Sequence, residues 1–282
     1  TARRAKKSSA GYDLTRLFVG AEGTLGVITE ITLRLSGIPE AISAGICPFP
    51  SVKAACDATI LTIQSGLPVA RIELADEWQV KAFNLHSNLS LPETPMLFVE
   101  FHGTEQGVKE QAERFGDIAA ECGGGPFEWA TKPEDRTRLW QARHDAYWSA
   151  LSLRPGCKVI ATDVCVPISR LAECVVETQK DVQATGLIAP IVGHVGDGNF
   201  HLTLLCNMDD AAEVETCRAF LHRLVERSLA MEGTCTGEHG VGQEKMKYLL
   251  KEHPAATLDM MRAIKQAIDP QNIMNPGKIV AI

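Results

Sequence analysis

Ile188-Ala189-Pro190-Ile191-Val192-Gly193-His194-Val195-Gly196-Asp197-Gly198-Asn199-Phe200-His201-Leu202-Thr203-Leu204-Leu205-Cys206 reads as two strands joined by a tight turn. Ile188–His194 and Phe200–Cys206 are the apolar runs, and Gly196, Asp197, Gly198 and Asn199 between them are all turn formers. The two histidines are seven positions apart. On one straight strand that odd spacing would put them on opposite faces. A turn instead sets His194 at the end of one strand and His201 at the start of the next, so both imidazoles can converge from one end of a sheet. The bland alternative is two unrelated histidines, in the core or at the surface.

The rest of the chain supplies partners for that sheet. Ile28–Leu35 alternates in strand fashion. Gly37-Ile38-Pro39-Glu40 is a break and a candidate domain boundary, dividing residues 1–37 from 38–282. Ile42–Phe49, Val69–Leu74, Met96–Phe101 and Lys158–Val166 are further strands. Ser51 caps a helix to about Ser65, with Gly66 as its stop, and a helix from about Glu105 runs to Cys122. One helix is expected from about Pro133 to Leu153, another over Ile168–Thr185 with Gly186 as its stop, and a third from Asp209 to about Glu232. Lys245–Lys251 and Ala255–Ile268 are the last helices. The connections alternate irregularly, which gives an α+β body: an antiparallel sheet covered by helices on one face.

Composition narrows the function classes. The 282 residues are 45% hydrophobic and 22% charged, the usage of a folded globular chain of one large or two ordinary domains. A net charge of −7 argues against a nucleic-acid or anionic-lipid binder, which needs a basic face. The apolar stretches fall short of the roughly 20 residues a membrane span needs. Nine cysteines without C-x-x-C spacing argue against a zinc ribbon or a disulfide framework and fit small core residues in a reducing compartment. The sequence opens on Thr1, and four of its first seven residues are basic. This is either the tail of a targeting peptide or, as we expect from the packed character of Gly11–Leu35, the interior of a longer protein.

Two other segments carry chemistry. Gly20-Ala21-Glu22-Gly23-Thr24-Leu25-Gly26-Val27-Ile28 lets backbone amides approach a ligand closely, although its spacing is neither G-x-G-x-x-G nor a phosphate-binding loop, and a plain tight turn explains it equally well. Thr236-Gly237-Glu238-His239-Gly240-Val241-Gly242 sets a carboxylate beside an imidazole between glycines; a solvated loop is the alternative. Joined to His194 and His201, Glu238 makes a His₂-carboxylate set for a divalent ion with open positions: zinc, manganese, iron or cobalt. His239, next to the third ligand, suits a general base. Arg143, on a helix with Trp140, Tyr147 and Trp148, can clamp a carboxylate or form a surface ion pair. Lys158 opens a strand and could equally be solvated.

Together these segments resemble the FAD-linked oxidases, flavoenzymes of the vanillyl-alcohol-oxidase fold. Gly11–Thr29 is similar to the end of their FAD-binding domain. Gly193–His201, Gly237–Gly242 and Asp269-Pro270-Gln271-Asn272-Ile273-Met274-Asn275-Pro276-Gly277-Lys278 are similar to their C-terminal substrate domain. Arg154–Lys158 and Thr162–Arg170 most resemble the D-lactate dehydrogenase branch, whose relatives act on D-2-hydroxyglutarate or glycolate. The resemblance implies a ferredoxin-like substrate and metal domain at 38–282 and an FAD-binding remnant at 1–37. It implies His194, His201 and Glu238 as ligands of a divalent metal, zinc or manganese; His239 as the catalytic base; and Arg143 and Lys158 as contacts to the substrate carboxylate. Glu22, Gly23, Gly26, Val27, Ile28 and Asn275 would touch FAD. A small D-2-hydroxy acid, D-lactate first, would then be oxidised to the 2-keto acid. Electrons would pass to cytochrome c, a quinone or an electron-transfer flavoprotein rather than NAD. The compartment would be the mitochondrial matrix in a eukaryote, or the cytoplasm or the inner-membrane periphery in a bacterium; a homodimer is compatible with this. The competing readings are a metal-dependent hydrolase, for which Gly20–Ile28 would be idle, a non-catalytic ligand-binding module, and a non-redox flavin relative such as an alkyl-ether-lipid synthase.

Overall fold

The computed structural model describes residues 1–130 and 133–282. The chain divides into two compact units, one of residues 37–234 and one of residues 1–36 with 235–282.

The larger unit is built on strands β1 (Ala41–Pro48), β2 (Val69–Ala75), β3 (Met96–Gly103), β4 (Glu128–Ala130), β5 (Lys158–Ala161), β6 (Val164–Cys165), β7 (Ile191–Gly193) and β8 (Asn199–Cys206). Their order is β4-β1-β3-β2-β7-β8-β5, with β6 also on β8, and every pairing is antiparallel. The α+β class read from the sequence therefore holds. The cover is thicker than expected, because helices pack on both faces. Six successive residues of β3, Met96–Phe101, are buried, and successive side chains on a strand point opposite ways. Phe101 meets Phe115 of the Glu105–Glu121 helix with ring centroids 6.1 Å apart. Phe98, on the other face, meets Phe83 of the Glu77–Ser87 helix at 5.9 Å and Trp140 of the Pro133–His144 helix at 6.4 Å.

Local chemistry fixes the helix ends. Ser51, Asp76, Thr104 and Asp210 each accept a backbone N–H of the first turn that follows them. Gly186 ends Leu171–Thr185 in the left-handed region, φ +70°, where a Cβ is penalised. The Glu77–Ser87 helix is absent from the sequence reading; its buried residues Gln79, Val80, Ala82 and Phe83 are too few and too mixed to stand out as an apolar stripe. The single helix expected over Pro133–Leu153 is two, Pro133–His144 and Ala146–Leu151. Asp145 turns the backbone between them, at φ −83° and ψ 10°, and its carboxylate accepts from Gln141 at 3.0 Å. The strand expected over Lys158–Val166 breaks at Thr162 and Asp163, both buried.

The smaller unit contains the helices Leu14–Phe18, Met246–Glu252 and Ala255–Ile268. Its inner polar point is Lys265, 4% exposed, whose Nζ donates to the carbonyls of Thr24 at 2.8 Å and Met274 at 2.7 Å and to Asp269 at 2.5 Å. The Lys265 hydrogen bond holds the Asp269 carboxyl below the usual carboxylate range. Asp269 also accepts from the backbone of Ile273 and Met274, which fixes the start of the Ile273–Lys278 tail. The strand expected at Ile28–Leu35 is not formed. Ile28, Ile31, Leu33 and Leu35 are all exposed, and the segment hydrogen-bonds to no strand among the described residues. Alternation supplies a strand's side-chain pattern but not the neighbouring backbone that satisfies its amides.

All nine cysteines are free, and Cys47, Cys56, Cys174, Cys206, Cys217 and Cys235 are buried. Burial pushes the Cys47 thiol up to about 11 and those of Cys174, Cys217 and Cys235 to about 12. Alkylation of the native protein at pH 8, mapped by mass spectrometry, should therefore mark only Cys122, Cys157 and Cys165, the three partly accessible ones. Rapid labelling of the buried six without denaturant would contradict the packing described here.

Candidate active site

The register of three strands assembles the site of the larger unit. In β2, Leu74 pairs with Gly193 and Ala75 with Val192; in β8, His201 pairs with Val192. Directly paired residues share a face, so His201 lies on the face of Ala75. His194, just past the end of β7, follows Gly193 and so comes level with Glu73. Glu73 pairs with Phe98 and therefore faces the Pro133–His144 helix, which carries Arg143.

The polar contacts follow this register. Glu73, 7% exposed, accepts from His194 Nδ1 through Oε1 at 2.7 Å. Its Oε2 accepts from Arg143 Nε at 3.2 Å and Nη2 at 2.8 Å. The Nδ1 of His201 lies 3.1 Å from the carbonyl of Thr162, at the break between β5 and β6. A carbonyl only accepts, so this nitrogen donates. Thr162 Oγ1 in turn accepts from the backbone of Leu202, and buried Asn199 donates to Asp163 at 2.9 Å. The rings of His194 and His201 stand edge to face with centroids 5.8 Å apart. A ring nitrogen of each lies within 4.8 Å of one on the other. With both Nδ1 atoms donating, a neutral imidazole carries its lone pair on Nε2, an atom that in His201 is buried. That is how histidines are prepared for a divalent cation, and the pair fits one.

The smaller unit holds the other two candidates. Glu238 and His239 lie on the loop between Cys235 and the Met246–Glu252 helix; His239 Nε2 is 3.5 Å from Glu238 Oε1, and each side chain is 48% exposed. The loop is held by Glu22, whose carboxylate accepts from the backbone of Val241 at 2.6 Å and Gly242 at 2.9 Å. Gly240 packs over it: a Cβ there would meet Glu22 Oε1 at 2.7 Å. Glu22 itself has φ +50°, and Asn275 Nδ2 donates to its carbonyl at 2.5 Å.

A family model described as "FAD linked oxidases, C-terminal domain" matches residues 38–279. The chain belongs to the FAD-linked oxidases. It is 49% identical over 280 residues to a probable mitochondrial D-lactate dehydrogenase of Danio rerio, covering 99% of this chain and 56% of that protein. It is 46% identical over 280 residues to the mitochondrial D-lactate dehydrogenase [cytochrome] of Arabidopsis thaliana, covering 99% of this chain and 49% of that one. The chain thus spans about half the length of the relatives it matches. In structure it resembles the 4-ethylphenol oxidase of Gulosibacter chungangensis, with a TM-score of 0.66 at 14% identity over 88% of this chain and 55% of that one, a likeness of fold alone. Among the described residues no helix is long and apolar enough to cross a membrane.

In this FAD-linked oxidase the expected residues are distributed unevenly. Within the larger unit His194, His201 and Arg143 gather around Glu73, while Lys158 does not join them. Lys158 is exposed and pairs with Cys206, five positions along β8 from His201, roughly 17 Å at the rise of a strand. In the smaller unit the backbone turns at Gly20, Gly23 and Gly26 with φ of +79°, +73° and +155°, and a Cβ at any of them would meet no atom closer than 3.8 Å. Such an open, side-chain-free turn fits a cofactor approached through backbone amides, as FAD would be. The Glu22 side chain is committed to the loop, leaving its backbone for that role; Val27 and Ile28 are exposed. Glu73, Thr162, Asp163 and Asn199 carry no site role in the sequence reading. Glu73 sits between Ile72 and Leu74 in the phase that alternation assigns to solvent, and only the covering helix shows otherwise.

Removing the Glu22 clamp should loosen its loop without unfolding the larger unit. Hydrogen bonds to a charged group are each worth about 1.5–3 kcal/mol. In Glu22→Ala the amides of Val241 and Gly242 should exchange with deuterium at least tenfold faster than in the parent. Unchanged protection would show that the carboxylate does not hold the loop.

Proposed function

We propose that this FAD-linked oxidase oxidises a small D-2-hydroxy acid, D-lactate first, to the corresponding 2-keto acid. The observation that carries the reading is the pair of imidazoles whose Nδ1 atoms face Glu73 and the Thr162 carbonyl, in a chain 49% and 46% identical to D-lactate dehydrogenases. His194, His201 and Glu238 are the residues that would hold a divalent metal, zinc or manganese. Residues 1–37 close the FAD-binding part; Gly23, Gly26 and Asn275 contribute FAD contacts, and residues 38–282 form the substrate and metal part. Bound FAD would supply the two-electron acceptor and a bound divalent ion a Lewis acid that lowers the pKa of the substrate hydroxyl.

The chain's own residues do the placing. Arg143 binds the substrate carboxylate. Its Nε–Nη2 edge is engaged by Glu73, so it offers the Nη1 end of the guanidinium. His239 accepts the hydroxyl proton at a ring nitrogen, the general-base role an imidazole can take. A three-carbon acid held at the histidines is out of reach of Lys158, and the reading does without it. Electrons leave for a respiratory acceptor; the relative named D-lactate dehydrogenase [cytochrome] supports a cytochrome, and the names of both relatives support a mitochondrial setting.

The natural full-length protein tests this with a panel of D-lactate, D-2-hydroxybutyrate, glycolate and D-2-hydroxyglutarate, read by dye reduction. D-Lactate should give the highest kcat/KM, a chelator should abolish turnover, and zinc or manganese should restore it. His201→Ala should lose at least roughly 100-fold in kcat with the flavin spectrum intact, as removal of a Lewis acid worth several kcal/mol requires. Full turnover in that variant would remove the metal from the reading. Hydrolase activity without dye reduction would replace the reading altogether.

A further inference from the structure

We propose that Glu73 is a positioning residue that orients the metal-ligating imidazole of His194 and the substrate-binding guanidinium of Arg143 with one carboxylate. The inference rests on the reading of His194 as a metal ligand and of Arg143 as the substrate contact.

The two oxygens divide the work. Oε1 faces His194 Nδ1 at 2.7 Å; Oε2 takes both Nε and Nη2 of Arg143 at 3.2 and 2.8 Å. An ionised carboxylate only accepts hydrogen bonds, so it holds His194 in the tautomer with Nδ1 protonated and the lone pair on Nε2. It also fixes the plane of the guanidinium and leaves the Nη1 end for a second anion. Three separate elements supply the members: β2, the residue following β7, and the Pro133–His144 helix. Neutralising Glu73 would require only Arg143, whose side chain is 13% exposed. The second oxygen goes instead to an imidazole that is 40% exposed. A packed apolar residue at position 73 would cost the fold less than a buried, doubly engaged charge. The arrangement therefore serves the orientation of the imidazole and the guanidinium rather than the stability of the sheet. His201 Nδ1 donates instead to the carbonyl of Thr162 at 3.1 Å, with the buried Asp163 carboxylate 3.6 Å away, so the direct carboxylate partner belongs to His194.

The test compares the natural full-length protein with its Glu73→Gln variant. The readouts are the Zn²⁺ dissociation constant by competition with a chromophoric chelator, KM and kcat for D-lactate, flavin absorbance and melting temperature. One amide oxygen cannot serve both partners. Zn²⁺ affinity should fall roughly 10- to 100-fold, the effect of a lost outer partner, or KM should rise about tenfold where the amide keeps its oxygen on His194. Flavin loading should not change. A variant equal to the parent in both readouts overturns the inference while leaving the metal reading standing. A parent that binds no Zn²⁺ overturns both. Should Glu73→Gln fail to fold, the ¹⁵N spectrum of histidine-labelled parent protein decides, with His194 assigned through His194→Gln. Protonation at Nδ1 is expected; protonation at Nε2 overturns the proposal.

Discussion

The antiparallel register of β2, β7 and β8 is the constraint on which the larger unit's site depends. Leu74 opposite Gly193 and Val192 opposite His201 set which side chains share a face, and backbone hydrogen bonds hold both pairings. A slip of one residue in either would turn Glu73 or His201 to the other face. The ladder thus places His201 directly and His194 as the first residue beyond the Gly193 pairing. The Gly196–Asn199 turn closes the hairpin, and the sheet aims the rings.

Around that ladder the fold solves a problem of burying charge. Glu73, Asp163 and Glu100 are each at least 93% buried on a face covered by helices or by the break after β5. Each has a named partner: Arg143 and His194 for Glu73, Asn199 for Asp163, His102 and Arg71 for Glu100. Removing one partner of such a set leaves a buried charge uncompensated, which costs more than the intact set contributes. The smaller unit has the same logic in Lys265, whose ammonium gathers two carbonyls and a carboxylate from three separate stretches of chain.

Both glycine-rich segments mean more in the structure than glycine content suggests. Gly240 lets the Glu238–His239 loop settle on the Glu22 carboxylate, where a Cβ would collide. Gly193 is equally demanding: a Cβ there would lie 2.6 Å from Asn199 O and Phe200 Cα. The missing side chain lets the Gly240 backbone settle against the Glu22 carboxylate and lets the Gly193 backbone approach that of Asn199 and Phe200.

The sequence by itself determined the strand–turn–strand around Gly196–Asn199, the capped helix after Ser51, the Ala255–Ile268 helix and the α+β class, because each rests on local periodicity and turn chemistry. It also singled out His194, His201, Glu238, His239 and Arg143, because those residue types beside glycines and aromatics are costly unless used. It misplaced Ile28–Leu35 as a strand, since alternation says nothing about whether a neighbouring backbone exists to pair with. Tertiary structure alone decided that Glu73 is buried, that the break at Thr162 supplies the carbonyl under His201, and that Lys158 stands apart. Each of these depends on which chain-distant segment lies alongside, and contact between distant segments leaves no period in a single sequence.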